Sequence, residues 1–469
     1  MTKTKKIDLA YSLFFTLIIG VISWETGLFW DNILFVQKMS APLFEKGFWS
    51  WGQLPLECDP GHPPFIATYM SIVWSIFGRS LYVSHIVLYP FIFMFIFNII
   101  RIAKLTFHNS KIGIVTAILV LADPTILTSL VYIGTEIFIL SFASLAIYGI
   151  ISGNKYYKIL GMMFLAITSL RGMMLCGGIF LWEVMTKLIV KRCIVKQLFN
   201  GSFLTPYIIA ALPSFVFIIW RLVYKGWIIS NPLSPWGNAF GYTDIFDFIT
   251  NFARNILVLL QRITDFGRII IIGLIGMLIW FFRNNIKFNS RLITIILFIL
   301  CCCSFIVSTS LIIKNPMGHN YFSLIYLGLI FLLVELIRNI KWRRLVYTMS
   351  LCVLLLSNFI VYPETISQGW NASLASLPYW QLRKEILLYI EEQNIPLNQV
   401  FFSFPFGSCA DDVELNNDKR SYATNIDTAE YFVLSNICNF NNEILMQMKQ
   451  YPCLFYAEKR GVYVSLHKR

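Results

Sequence analysis

Hydrophobic runs long enough to cross a bilayer recur along the chain from Ile7 to Val361. A transmembrane helix needs about 20 mostly apolar residues, and these runs are unbroken stretches of Phe, Ile and Leu rather than the alternating pattern of a membrane β-barrel. An all-α polytopic membrane protein with about eleven transmembrane helices is therefore expected. Composition excludes the soluble alternative. Only 13% of the 469 residues are charged, against about 25% in soluble domains, and mean hydropathy is +0.66.

The spans fall near 7–28, 80–103, 112–130, 136–151, 158–170, 172–190, 202–224, 267–283, 291–313, 321–338 and 345–362. Alternate loops carry Arg101, Lys104 and Lys111; Lys155 and Lys158; Lys187, Lys191, Arg192 and Lys196; Arg283, Lys287 and Arg291; and Arg338, Lys341, Arg343 and Arg344. The net charge of +13 thus reports the positive-inside bias and anionic headgroups, not nucleic acid. The head, Lys3-Thr4-Lys5-Lys6, has no small-residue cleavage site after it and reads as the cytoplasmic start of a retained span. Pro64 to Phe77 is apolar but only about 21 Å long as a helix, so it is expected to lie on the outer surface. Spans 158–170 and 172–190 meet at Arg171 without a polar loop, which suggests the floor of a water-filled cavity.

Two parts follow: residues 1–362, a transmembrane catalytic part with outer loops 29–79 and 225–266, and residues 363–469, an extracytoplasmic tail. The tail pattern reads helix (378–393), strand (399–403), strand (431–435), short helix (442–449) and a hairpin around Lys459-Arg460-Gly461, a small α+β unit. Cys58, Cys409, Cys438 and Cys453 fall outside, where either disulfides or free thiols are compatible with the pattern. No CxxC or His-x-His cluster indicates a structural metal.

The stretch Gly27-Leu28-Phe29-Trp30-Asp31-Asn32, followed by Asp59-Pro60-Gly61-His62-Pro63-Pro64-Phe65, places an acid where the first span ends and His-Pro-Pro at the start of a surface helix. This order resembles the first outer loop of the GT-C superfamily of membrane glycosyltransferases, most closely protein O-mannosyltransferases and lipid A aminoarabinose transferases. Asp123-Pro124 with Gly134-Thr135-Glu136 resembles their second outer loop, and Lys314 to Phe322 resembles a late Arg-Tyr-Phe element, with His319 or Asn320 where the arginine would be. The mannosyltransferase Asp-Glu pair is Asp31-Asn32 here. The resemblance implies an inverting glycosyltransferase of the bacterial cytoplasmic membrane. It would use a polyprenyl-phosphate-linked sugar at the outer face, with a glycan, lipid or protein as acceptor.

The residue chemistry leads to similar roles. Transfer from a polyprenyl phosphate needs a base for the acceptor hydroxyl and cations or donors for the departing phosphate. Asp31, beside Phe29 and Trp30 at a membrane boundary, is the expected base, its pKa raised by desolvation. Glu136 and Asp59 are further candidate acids. Arg171, His62 and His319 are candidate phosphate ligands, since a lone arginine between apolar helices tends to face a cavity or a counter-ion such as Glu183 or Glu136. Trp49, Trp51 and Trp380 are candidate sugar or acceptor contacts. The other tryptophans at predicted boundaries, Trp24, Trp227 and Trp236, suit interfaces. A divalent cation shared by Asp31, Asp59 and Glu136 is compatible with the residues if the fold unites them. A surface-polysaccharide polymerase and a lipid-linked oligosaccharide flippase or other transporter remain alternative functions. The flippase is disfavoured because the acids gather at one membrane face and no halves repeat.

Overall fold

The computed structural model describes residues 3–469 except 199, 230, 232, 235, 236, 284–288, 316, 339, 365, 367 and 439, so Trp236 and Lys287 lie outside the described residues. Long apolar helices shuttle between two ends of a bundle. They are α1 (Lys3–Ser23), then short α2 (Met39–Lys46), α3 (Phe65–Phe77) and α4 (Leu81–Ile86), then α5 (Tyr89–Phe107), α6 (Ser110–Ala122), α7 (Pro124–Val131), α8 (Thr135–Ser152), α9 (Lys155–Thr168) and α10 (Leu170–Met185). A four-residue α11 (Val195–Leu198) precedes α12 (Gly201–Lys225), α13 (Ile245–Thr264), α14 (Arg268–Phe282), α15 (Ser290–Ile312), α16 (Ser323–Ile337) and α17 (Arg343–Ser357).

Seven helices among the described residues are long and apolar enough to span a membrane, or up to nine if each of two bent pairs is one span. The shortfall from eleven has local causes. Asp123 breaks the expected span 112–130: its carboxylate caps α7 by accepting from the backbone N–H groups of Thr125 and Ile126, and the chain bends by 77° there. Helices α9 and α17 have only 14 and 15 residues. Helix α3, expected on the outer surface, is a 13-residue element that buries Met70 and Trp74 and leaves Phe77 exposed. At the basic end of the bundle Asn109, Asn154, Asn200 and Asn289 cap α6, α9, α12 and α15.

At the other end sits the region after α17. Its elements are α18 (Pro378–Glu392), β1 (Val400–Phe402), α19 (Asp411–Glu414), β2 (Tyr431–Leu434), α20 (Asn442–Met448), β3 (Cys453–Lys459) and β4 (Val462–Lys468). The sheet order is β1-β2-β4-β3, with β1 parallel to β2 and the other pairs antiparallel. Arg460 (φ 51°) and Gly461 (φ 79°) both take the left-handed conformation that a tight two-residue hairpin turn requires. One buried core runs from the bundle into this region. Phe29 packs against Tyr132 (ring centroids 4.9 Å) and Trp380 (5.5 Å), and Tyr379 packs on Phe406 (5.3 Å). All ten cysteines are free thiols, so Cys58, Cys409, Cys438 and Cys453 form no disulfide here.

Candidate active site

Asp31 is held by packing on the residues before it. Leu28 and Phe29 are fully buried, and the Leu28 N–H donates to the Val413 carbonyl at 2.9 Å. Trp30 then adopts φ 53°, a left-handed backbone that a bulky residue rarely takes, and this turn delivers Asp31 outward. Such strain is kept only where the surroundings enforce it. Asn32 packs against Gly134, where a Cβ would lie 2.4 Å from its side-chain oxygen, so only glycine lets the first and second loops touch.

Asp31 opens onto a cavity of about 630 Å³ with Lys38 and Glu57 from the first loop and Phe404, Gly407 and Ser408 from the tail. The carboxylate reaches solvent through this cavity while protein surrounds it. Burial pushes its pKa from the ordinary 3.8 up to about 6, Glu136 adding to the rise and Arg171 opposing it. At neutral pH Asp31 is a carboxylate near the basicity a general base needs. Lys38, on the π-helical turn Ile33–Lys38, reaches Ser408 (3.2 Å) and Asp412 (3.7 Å).

Arg171 is buried at the start of α10. Ser169 caps that helix by accepting from the Gly172 N–H at 3.0 Å, and Gly172 lets α9 approach, since a Cβ there would fall 2.0 Å from the Leu165 carbonyl oxygen. The tight turn thus follows from a serine cap and a glycine. The Arg171 guanidinium donates from Nη2 to Glu136 Oε1 at 2.6 Å and stacks on the Tyr321 ring at 4.3 Å. Its Nη1 is buried without a hydrogen-bond partner among the described residues. Of the two carboxylates weighed as its counter-ion, Glu136 is the one used. Glu183 lies at the far end of α10, bound to Lys158.

His62 lies where Arg171 and Arg221 both act on it. Burial first, then those two cations, depress its pKa to about 3. It is therefore neutral at physiological pH and able to serve a phosphate only as a neutral N–H donor. Asp59 is not free for chemistry: it is buried, with Arg221 at 2.9 Å and Lys225 at 3.8 Å. Beside His62 an apolar cavity of about 540 Å³ runs past Trp49, Trp51, Phe65 and Trp220. Trp51 is fixed there by donating to the Thr68 hydroxyl at 2.9 Å, whereas Trp49 is largely exposed.

Two candidates lie elsewhere. His319 is buried and bonded to Asp265 at 2.8 Å, with Tyr362 on the other carboxylate oxygen at 2.8 Å. Trp380 sits in the core with its N–H 3.3 Å from the Tyr132 hydroxyl, under the loop rather than in the cavity. Of the three acids that a divalent cation could share, Asp59 is tied to Arg221. Among the described residues no group of three His, Cys, Asp or Glu side chains is positioned to hold a metal. Sequence reasoning missed Lys38, Arg221 and Tyr321. The signal that singled out Arg171, a lone arginine in an apolar helix, applies equally to Arg221.

No known protein family and no curated protein matches the sequence. Among solved structures, ArnT from Cupriavidus metallidurans bound to undecaprenyl phosphate is similar over 99% of this chain and 98% of that chain, at 11% identity and a TM-score of 0.54. The chain therefore shares the overall fold of that polytopic ArnT structure.

Proposed function

We propose that this protein is an inverting glycosyltransferase that moves a sugar from a polyprenyl phosphate to an acceptor hydroxyl at the outer face of the cytoplasmic membrane. The observation that carries this reading is the meeting of Asp31, Glu136, Arg171 and His62, with Asp31 opening onto a cavity and a buried guanidinium N–H of Arg171 unsatisfied among the described residues. A buried unpaired donor is costly. A phosphate oxygen is the partner that satisfies it, and ArnT, whose fold the chain shares, was solved with undecaprenyl phosphate. The apolar cavity by Trp51 and Trp220 suits the first isoprene units of such a lipid.

In the proposed step the acceptor oxygen attacks the anomeric carbon and Asp31 takes its proton. The bond from that carbon to the phosphate oxygen breaks, and the phosphate leaves with the electron pair. Arg171 and the neutral His62 stabilise the added negative charge, while Glu136 keeps Arg171 in place. Phosphate needs no proton to leave. The acceptor enters from the side formed by Phe404 and Ser408 of the tail.

Incubating the purified protein with polyprenyl-phosphate sugars and cell lipids should release polyprenyl phosphate together with a glycosylated product. Movement of intact lipid-linked sugar without such release would favour a transporter instead. Arg171→Gln should weaken polyprenyl phosphate binding roughly 10- to 100-fold, the range of one charge-assisted hydrogen bond. Equal affinity of the variant, measured by titration in detergent, would remove Arg171 from the phosphate site. The pH profile provides a separate check. With Asp31 as base, the rate should fall about tenfold per pH unit below about pH 6 and be flat above it, whereas an inflection near pH 4 would indicate a carboxylate in ordinary surroundings.

A further inference from the structure

We propose that the end of the bundle opposite Asp31 carries a second site, for the phosphate headgroup of an anionic phospholipid. Three helices join the two ends. Helix α10 carries Arg171 in its first turn and passes into the π-helical turn Thr186–Val190, so Lys187 stands about 24 Å from Arg171 along the axis. Helix α8 starts beside Glu136 and ends near Ile151, and the segment from Tyr321 through α16 ends near Glu335.

A cavity of about 610 Å³ opens there, lined by Lys187, Lys191, Arg291, His108, Thr186 and Trp182. Its charges do not cancel. Glu183 is shared by Lys158 (3.0 Å) and Lys187 (3.4 Å), and also accepts from the Tyr207 hydroxyl. Glu335 is shared by Arg291 (3.4 Å) and Arg338 (3.0 Å). Lys191 has no ion-pair partner among the described residues. Among the described residues that line the cavity, Lys187, Lys191 and Arg291 thus face the single carboxylate of Glu183, an excess of two positive charges. The cavity adjoins an apolar slot of about 50 Å³ that shares Thr106, Ile151, Trp182 and Thr294 with it and is also lined by Phe298 and Phe331.

A cationic mouth beside an apolar slot matches an amphiphile better than a free anion. Basic pockets between membrane helices commonly hold lipid phosphates. The π-helical turn that lines this cavity has a counterpart at Ile33–Lys38, which lines the Asp31 cavity, and such turns often mark functional sites. Thr186 Oγ1, on the turn itself, is buried without a hydrogen-bond partner among the described residues. The phosphate would bridge Lys187, Lys191 and Arg291, with the first acyl methylenes against Trp182.

The test uses the full chain in detergent, offered dioleoyl phosphatidylglycerol and phosphatidylcholine at equal concentration, with retained lipid counted by native mass spectrometry. Wild type should retain phosphatidylglycerol about tenfold better. Lys191→Gln/Arg291→Gln should abolish that preference, and Thr294→Trp, which fills the slot, should weaken it. Lys155→Gln, an exposed lysine at the same end, should leave it intact. Because Lys191 is exposed, Lys191→Gln alone keeps the test decisive if the double variant fails to fold. Equal retention of the two lipids, or equal loss in Lys155→Gln, would overturn the proposal. Displacement by millimolar inorganic phosphate together with an inert Thr294→Trp would reassign the cavity to free anions and overturn it too.

Discussion

Asp31→Asn is expected to lower the rate of sugar transfer by about 10²- to 10⁴-fold, the usual contribution of a positioned general base, while the protein stays folded and still binds polyprenyl phosphate. Loss of the carboxylate removes the proton acceptor and leaves Arg171, His62 and the apolar cavity in place. The sign of the stability change separates this from damage. Burial raises the Asp31 pKa from 3.8 to about 6, so the stability this group contributes falls as pH rises through that window, and a neutral side chain is favoured at pH 7. The Asn variant should therefore melt no lower than wild type at neutral pH. A variant with unchanged turnover would remove Asp31 from the mechanism; one that melts well below wild type would instead show a structural role.

Asp123→Ala should cost about 3–5 kcal/mol, the loss seen when one partner of a buried ion pair is removed. The fully buried Asp123 carboxylate receives Arg268 Nε at 2.8 Å and Nη2 at 2.9 Å, and it also caps α7. Arg268 lies over the Tyr326 ring at 3.6 Å. The pair thus joins the break between α6 and α7 to the start of α14. Pairing the change with Arg268→Met should restore much of the apparent melting temperature, because an apolar replacement of both partners leaves no orphaned charge. If Asp123→Ala melts as wild type does, the pair does not hold the bend.

Removing the tail is a less selective experiment than its separate sequence pattern implies. Tyr379, Trp380, Phe406 and Val413 belong to the same buried core as Phe29 and Tyr132. Arg79 also binds Asp411 through both nitrogens, at 2.8 and 2.9 Å. Truncation after Pro363 would expose that core and dismantle the loop that holds Asp31, so donor binding and folding are expected to fail together. Substitutions at Phe404 or Ser408, on the cavity wall, probe the acceptor side without this loss.

Much of the architecture was legible because it follows from local sums. Span position depends on the transfer free energy of some twenty consecutive residues, and basic residues between spans mark one end of the bundle. The tail was equally readable, since the helix at Pro378–Glu392, the strands and the Lys459-Arg460-Gly461 hairpin each rest on short-range periodicity or turn chemistry. Asp31, Glu136 and Arg171 stood out because ionised groups at the edge of a bilayer are expensive and need a reason.

Partnership was not legible, because it depends on which helices pack together. Arg171 had two candidate counter-ions, and only the antiparallel run of α8, α9 and α10 puts Glu136 at its end and Glu183 with Lys158 at the other. His319, two residues from Tyr321, goes to Asp265 instead of the Asp31 cavity, and Asp59 goes to Arg221. Trp380 is as aromatic as Trp51, but the tail buries one and the apolar cavity receives the other. The sequence by itself determined what each segment is, since length, hydropathy and capping act within a few turns of chain. The tertiary structure alone decided which charges meet, since an ion pair or a cavity is set by distances of a few ångströms between residues far apart along the chain.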